Sequence, residues 1–479
     1  MSGPYCIAAT QVPPVAWVGP FAVLLLILAV FPLIPRVSRW WENNRNKLFV
    51  ALVLGAIILL HYQTRGYGTV LHHTALMKTL LPLGFEVQEV AGHYVAAPGT
   101  ATSLGALGNA LFEYVPFIIL LFALYCISGG IAISGDIPAH PVTNTAILAI
   151  GGMLANLIGT TGASILLIRP LLQINTERRH VAHTVVFFIF IVSNIGGCLL
   201  PIGDPPLFLG YLRGVPFFWT LRLWKEWAFV LGLLLFVYFI WDHLAYCREA
   251  ASDVARDEGT IKSVRVLGNV NFVWLALVVA AVAMLAPGVA FPGTRWIPPP
   301  FLREAILLAL VGVSFLTTPR GLHHANRFNF HAIAEVACLF IGIFITMQVP
   351  LEILAAKGGM LGLTQPWHFF WATGSLSGFL DNAPTYVVFF QTASALPQQA
   401  GPGVLQLLDG NLIRQDLLVA ISLGAVFLGA STYIGNGPNF MVKSIAEQHG
   451  VTMPTFFGYL LYAIAVLIPV YAAVSLIFL

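Results

Sequence analysis

Apolar segments of membrane-spanning length alternate with short polar segments along most of the chain, and several apolar segments are interrupted by polar residues. One bilayer-spanning helix needs about 20 apolar residues. Val115–Ile133 and Phe456–Leu479 each fit a single crossing. Asn144–Ile174 and Trp367–Ala395 are too long for one straight crossing and too short for two. These two segments therefore need a different arrangement.

Both long segments carry a polar interruption near the middle. It is Gly159-Thr-Thr-Gly-Ala-Ser164 in the first and Leu380-Asp-Asn-Ala-Pro-Thr385 in the second. Two half-length helices joined at a polar tip satisfy this length and this pattern. The sequence therefore predicts two re-entrant hairpins, each entering and leaving the membrane on one side.

Two further helices are predicted to break inside the membrane. The apolar run Val181–Val192 leads into Ser193–Pro206, which contains Gly196-Gly197, Pro201 and Asp204-Pro-Pro206. Proline lacks an N–H and glycine favours non-helical backbone, so the helix cannot continue through this stretch. Gly429–Asn439 interrupts a second apolar run in the same way. Broken backbone at membrane depth occurs only where protein or a water-filled cavity satisfies its polar groups.

The interruptions occur in the same order in the two halves of the chain. Ile202-Gly-Asp-Pro-Pro206 corresponds to Ile434-Gly-Asn-Gly-Pro438, and Gly162-Ala-Ser164 to Asn382-Ala-Pro384. The basic loops Arg36–Lys47 and Asp242–Arg265 are predicted to be cytoplasmic. Counting spans from these loops gives the two halves opposite orientations in the membrane. Paired interruptions in two inverted halves are typical of transporter binding sites.

The predicted fold is an all-α polytopic membrane protein with two inverted-topology repeats and about 10–12 spans. Each repeat has a re-entrant hairpin and a broken transmembrane helix. The predicted boundaries are 1–110 for N-terminal helices and an extramembrane segment, 111–241 for the first repeat (hairpin 144–174, broken helix 181–219), 242–269 for a cytoplasmic loop, and 270–479 for the second repeat (hairpin 367–395, broken helix 417–448).

Composition narrows the class of protein. The chain has 479 residues, of which 58% are hydrophobic and 9% charged, and its net charge is +3. Soluble proteins have about 25% charged residues, so this chain lacks the polar surface of a soluble protein. A charge of +3 gives no electrostatic basis for binding nucleic acid. No nucleotide-binding or hydrolase motif occurs, so we expect a secondary transporter, without a cofactor, and not an enzyme.

Polar residues at the four breaks are the candidate site. A carboxylate inside the bilayer costs roughly 2.5–3.5 kcal/mol, so Asp204 is expected to face a cavity and to bind a cation or a proton. A helix cap is the alternative role for Asp204 and for Asp381. The candidate ion- and proton-binding residues are Asp204, Asp381, Asn194, Asn382, Ser193 and Asn436. Further candidates for binding an ion or substrate are Thr160, Thr161, Ser164, Thr385, Ser431, Thr432 and Asn439.

Hard oxygen ligands of these kinds suit Na⁺. We expect no transition-metal site, because His72-His73 and His323-His324 have no acidic or cysteine partner at metal-binding spacing.

The segments Ser193-Asn-Ile-Gly-Gly197, Pro201-Ile-Gly-Asp-Pro-Pro206, Asp381-Asn-Ala-Pro384 and Ile434-Gly-Asn-Gly-Pro438 resemble the ion transporter superfamily. Within it, the chain is most similar to the sodium:proton antiporter group related to NhaD and to arsenite and citrate permeases. The resemblance covers about Val115 to Leu479. It implies inverted repeats, a substrate site between the hairpin tips, and a scaffold that often forms a homodimer. The Asn-Ser-Thr triplets of the dicarboxylate carriers are absent in strict form.

Three transport functions remain open from the sequence. The first is exchange of Na⁺ or Li⁺ for H⁺, which acids at two of the four breaks favour. The second is Na⁺- or H⁺-coupled transport of citrate or another carboxylate, and the third is transport of arsenite or another oxyanion. We expect the partners to be membrane lipid and either Na⁺ and H⁺ or a small anion. The expected location is a bacterial inner membrane, which the chain crosses many times.

Overall fold

The computed structural model describes residues 11–90, 93–259, 261–319, 321–326, 328–408 and 410–479. Five helices precede the first predicted hairpin in the described part of the chain. They are α1 (Gly19–Val30), α2 (Pro35–Trp41), α3 (Asn44–Thr64), α4 (Thr74–Leu80) and α5 (Thr100–Gly129). Strands β1 (Thr69–Leu71), β2 (Val87–Val90) and β3 (His93–Ala96) form a small antiparallel sheet in the order β1-β3-β2. The sheet packs on the first turns of α5, where a Cβ on Gly105 would lie 2.8 Å from Leu71.

The first half continues with α6 (Pro141–Ile174), α7 (Ala182–Ile191), α8 (Pro205–Leu212) and α9 (Trp224–Tyr246). The segment expected to be the loop 242–269 contains the end of α9, helix α10 (Ala251–Gly259) and strand β5 (Lys262–Leu267). β5 pairs antiparallel with β4 (Ala132–Asp136). This pairing ties the connecting segment to the entrance of α6.

The described residues of the second half form ten further helices. They are α11 (Val270–Met284), α12 (Leu302–Thr317), α13 (Leu322–Ala325), α14 (His331–Thr346), α15 (Gln348–Lys357), α16 (Pro366–Phe379), α17 (Asn382–Ser394), α18 (Gln415–Leu428), α19 (Gly437–Gln448) and α20 (Phe456–Phe478). Strands β6 (Val404–Gln406) and β7 (Leu412–Arg414) form a short antiparallel pair between α17 and α18.

The prediction of an all-α polytopic membrane protein is confirmed. Among the described residues, five helical segments are long and apolar enough to cross a membrane, or six if α14 and α15, bent by 41°, form one span. The expected 10–12 spans also included shorter apolar helices, such as Ala182–Cys198 and Gln415–Ser431. These helices are short because glycine and proline end them at the predicted breaks.

Large apolar side chains on the outside of the helices are consistent with lipid contact. Phe49 and Leu60 on α3 are 63% and 60% exposed, and Leu476 on α20 is 87% exposed. Such exposure is unusual in a soluble protein and ordinary at a lipid-facing surface.

The segment α6 folds back on itself at Gly159. Gly159 has φ 76° and ψ 152°, a conformation essentially restricted to glycine. Near the two ends of the segment, the side-chain amides of Asn144 and Asn175 exchange two hydrogen bonds of 2.9 Å each. A methyl group on Gly151 would lie 2.9 Å from Leu167 on the returning arm. Two ends that meet and two arms that pack together make this segment a hairpin.

The second hairpin consists of α16 and α17, which are joined through Leu380 and Asp381 in extended conformations. After each hairpin comes a helix that breaks as expected. α7 passes through a 3₁₀ turn, Ile195–Cys198, and an irregular segment before α8 begins. α18 passes through a 3₁₀ turn, Gly429–Ser431, before α19 begins.

The helices pack in two groups. The hairpin group comprises α6, α7, α8 and α16–α19, and the flanking group comprises α1, α3, α5, α11, α12 and α14. Within the flanking group α3 packs closely on α14 at Gly342, where even a methyl group would lie only 2.6 Å from Ala51. Lys47 on α3 also forms a 2.6 Å ion pair with Glu335 on α14. Contacts of α5 with α6 and α8, and of α11 with α6, join the two groups.

Candidate functional site

Asp204 lies at the first break, immediately before α8. Its backbone is extended, with φ −139° and ψ 142°, and its side chain makes no cap hydrogen bond to α8. Pro205 and Pro206 follow it, and neither has an N–H to donate. Asp204 is 1% exposed, so its carboxylate faces the interior of the protein. The helix-cap role does not apply to the Asp204 side chain.

Side chains from the other three breaks donate hydrogen bonds to the Asp204 carboxylate. Thr160 Oγ1, from the tip of the first hairpin, lies 2.9 Å from Oδ1. Asn436 Nδ2, from the second broken helix, lies 3.1 Å from the same oxygen. Asn382 Nδ2, from the tip of the second hairpin, lies 2.7 Å from Oδ2. All four breaks therefore meet at one carboxylate.

The two hairpin tips match at a position different from the expected one. Gly162-Ala-Ser164 was expected to correspond to Asn382-Ala-Pro384. In the structure Thr160 and Asn382 are each the first helical residue after a break, and each donates to Asp204. Thr160 therefore corresponds to Asn382. Because the two residues are of different types, the sequence alone does not show this correspondence.

The two broken helices match as expected. Asn436 precedes α19 with φ −153° and ψ 142°, close to the values of Asp204 before α8. In the first break a Cβ on Gly203 would collide with the carbonyl oxygen of Gly197. In the second, a Cβ on Gly435 would lie 2.6 Å from the carbonyl oxygen of Gly429. Glycine is required at both places because the backbone folds closely on itself.

A second layer of amides and hydroxyls surrounds Asp204 and Asn436. Asn194 Nδ2 lies 2.7 Å from Asn439 Oδ1, and Asn194 Oδ1 accepts from Asn436 at 3.2 Å. Asn439 donates to the carbonyl groups of Gly429 and Thr432. The hydroxyls of Ser193 and Ser164 lie 2.8 Å apart. These side chains hold the irregular backbone together next to the carboxylate.

Three other candidate residues form hydrogen bonds with the backbone. Asp381 accepts from the N–H of Ala383 at 3.1 Å and caps α17. Thr385 donates to the carbonyl of Asp381 at 2.9 Å, and Thr432 donates to the carbonyl of Gly378. Asp381 immediately precedes Asn382, which contacts Asp204. Thr161, beside Thr160, is half-buried.

The described part of the site contains two buried oxygen atoms without a hydrogen-bond partner, Asn382 Oδ1 and Ser431 Oγ. The amide of Asn382 donates to Asp204. Ser431 lies in the 3₁₀ turn of the second break with Gly429, where a Cβ would lie 3.5 Å from Asn382 Nδ2. The three donors to Asp204 are all neutral, so they leave its negative charge uncompensated. A carboxylate with spare amide and hydroxyl oxygens nearby fits the ligand preference of Na⁺.

The candidate list omitted Asn156, about one turn before the tip of the first hairpin. Asn156 Oδ1 accepts from the N–H of Leu199 at 2.7 Å and so satisfies the backbone of the first break. A buried asparagine within an apolar run was the signal that could have identified it. Of the described residues, no three His, Cys, Asp or Glu side chains come together as metal ligands.

Two re-entrant hairpins and two broken helices that converge on a buried carboxylate define a polytopic membrane transporter. The comparison with protein families agrees with this class. Residues 83–479 match the model of a family described as putative citrate transport, and the chain belongs to this family. No curated protein matches the chain.

Proposed function

We propose that the protein is a secondary antiporter that exchanges Na⁺ or Li⁺ for H⁺ at Asp204 in a bacterial inner membrane. The observation that carries this proposal is the buried Asp204 carboxylate with three neutral donors. A desolvated carboxylate is stabilised either by a proton or by a cation, and the two compete for the same oxygens. Competition at one site, together with access to it from each side in turn, is sufficient for exchange.

The ligands proposed for the cation are the Asp204 carboxylate and the unpartnered oxygens of Asn382 and Ser431. Asn436, Thr160 and Asn194 would hold these ligands in place. Asp381, next to Asn382 in the chain, would contribute negative charge beside the site while it caps α17. Alternating access would come from movement of the hairpin group relative to the flanking group.

Coupled transport of citrate or another small carboxylate is the second candidate. The observation that favours it is the family match, which covers residues 83–479. In that case a cation at Asp204 would accompany the anion and would reduce the repulsion between the anion and Asp204. Transport of arsenite or another oxyanion is a variant of the same arrangement.

Proteoliposomes with a preset pH gradient separate these candidates. For the antiporter, adding Na⁺ or Li⁺ without any organic anion should dissipate the gradient, whereas choline should have no effect. A requirement for citrate would overturn the antiporter proposal and establish the carboxylate alternative. Uptake of radiolabelled citrate with and without Na⁺, measured on the same vesicles, tests the carboxylate alternative directly.

A further inference from the structure

An ion pair connects the end of α8 to the flanking group. Arg213 follows the last residue of α8, and its Nη2 lies 2.8 Å and 3.0 Å from the two carboxylate oxygens of Glu113 on α5. Its Nη1 lies 3.4 Å from Gln391 Oε1 on α17, the second arm of the second hairpin. Arg213 is thus attached on one side to the hairpin group and on the other to the flanking group.

The surroundings shield this ion pair from solvent more than an open surface would. The side chains of Arg213 and Glu113 are only 14% and 13% exposed. His73, in the extramembrane segment before α4, lies on the same side and stacks on Phe112 at 4.9 Å. Burial lowers the pKa of His73 to about 4, so its ring is neutral near pH 7 and does not compete with Arg213 for Glu113. Partly buried pairs are also screened less by salt than exposed pairs.

A second contact joins α8 to the flanking group at Tyr211, two residues before Arg213. Arg303 at the start of α12 is 4% exposed and donates to Tyr211 Oη at 3.2 Å. Its guanidinium also lies 5.5 Å and 5.6 Å from the ring centres of Tyr211 and Phe208. Glu304 compensates the charge of Arg303 within the same helix. Both contacts therefore hold the same short helix.

Helix α8 connects these contacts to the site. It begins directly after Asp204 and ends directly before Arg213. Eight helical residues span about 12 Å, so a rigid helix of that length carries a displacement at one end to the other. By contrast, the ion pair of Lys47 and Glu335 lies entirely within the flanking group.

We propose that the ion pair of Arg213 and Glu113 is a reversible contact that holds the hairpin group in one state of the transport cycle and separates in the other. The proposal rests on the proposed movement of the hairpin group, but it does not depend on which solute is transported. Separation of the pair moves the end of α8 away from α5 while the site at Asp204 is exposed to the opposite side.

Cross-linking tests this proposal. The protein carries Arg213→Cys and Glu113→Cys after its five native cysteines are replaced by alanine, and a bifunctional methanethiosulfonate reagent joins the two thiols in proteoliposomes. We expect at least a tenfold loss of Na⁺/H⁺ exchange, with recovery after reduction by dithiothreitol. The matched control joins Lys47→Cys to Glu335→Cys, which we expect to leave exchange unchanged because both residues belong to one group.

The outcomes separate the two proposals. Full exchange by the cross-linked Arg213–Glu113 variant would show that the pair stays together throughout the cycle and would overturn the inference. If the uncross-linked protein carries out no cation exchange but takes up citrate, the antiporter proposal fails and the same comparison is made on citrate uptake. If the protein shows neither cation exchange nor citrate uptake, the distance between spin labels at positions 213 and 113 is measured instead. Two distance populations would support the reversible contact, and a single population would overturn it.

Discussion

The side-chain amide of Asn382 donates a 2.7 Å hydrogen bond to Asp204, and this contact joins the second hairpin to the first broken helix. The two residues belong to different halves of the chain. Neither half therefore contains a complete site, and the properties of the carboxylate depend on both.

Asp204→Asn should abolish exchange. Asparagine has the size of aspartate and lacks the charge that binds Na⁺ or releases H⁺. Dissipation of a pH gradient by Na⁺ should fall to the level of empty liposomes, while size-exclusion chromatography of the purified variant stays unchanged. Asp381→Asn serves as the comparison. It should lose less activity, because asparagine can still cap α17. Full exchange by the Asp204 variant would remove this residue from the mechanism.

Thr160→Val should weaken the apparent affinity for Na⁺ by about tenfold or more, since a hydrogen bond to a charged group contributes about 1.5–3 kcal/mol. The lost bond is the 2.9 Å contact from Thr160 to Asp204. The concentration of Na⁺ giving half-maximal exchange measures the effect. Thr161→Val is the matched control one residue away on the same tip, and it should leave that concentration unchanged. Equal shifts in both variants would contradict the assigned contact.

Gly159→Ala should destabilise the protein by about 1–3 kcal/mol, the usual cost of forcing a side chain into a glycine-only conformation. Gly159 combines φ 76° with ψ 152° at the turn of the first hairpin. Thermal unfolding in detergent is the measurement. Gly232→Ala, within α9 and with open space around it, should not lower the melting temperature, because alanine favours a helix more than glycine does. An unchanged melting temperature for the Gly159 variant would show that the turn tolerates a side chain.

Asp242→Asn should cost about 3–5 kcal/mol, the range observed when one partner of a buried ion pair is removed. Asp242 is fully buried at the open end of the first hairpin and pairs with Arg178 at 2.7 Å. It also lies 2.9 Å from His183 Nε2. Thermal unfolding again reports the loss. Asp253→Asn removes the partner of Arg179, whose side chain is 70% exposed, and should cost less than about 1 kcal/mol. Similar losses in both variants would contradict the difference in burial.

Much of the site could be predicted from the sequence because its signals are local. Proline and glycine break a helix wherever they occur in a run, so the breaks at Ser193–Pro206 and Gly429–Asn439 were predicted within a few residues. A carboxylate within an apolar run is costly in any arrangement, which identified Asp204. The structure then brought Thr160, Asn382 and Asn436 to that same carboxylate.

The remaining contacts depend on distances that no local pattern encodes. Arg213 and Glu113 are each at the end of an apolar stretch, and either could have extended to water. Their contact follows from the packing of α8 against α5. In the same way, Asn144 and Asn175 give no sign that they meet until Gly159 turns the chain back. The small sheet of β1, β2 and β3 was also missed, because its strands have only three or four residues each.

The near-identical backbone of Asp204 and Asn436 has an evolutionary consequence. If both halves descend from one duplicated ancestor, these two positions began as the same residue, and only one of them now carries a charge. Their amide and carboxylate differ by a single functional group and are in hydrogen-bond contact. Exchanging the two residues, by Asp204→Asn together with Asn436→Asp, would move the carboxylate to the second half and leave the net charge unchanged. Such an exchange would show how far the two halves have specialised since they ceased to be equal.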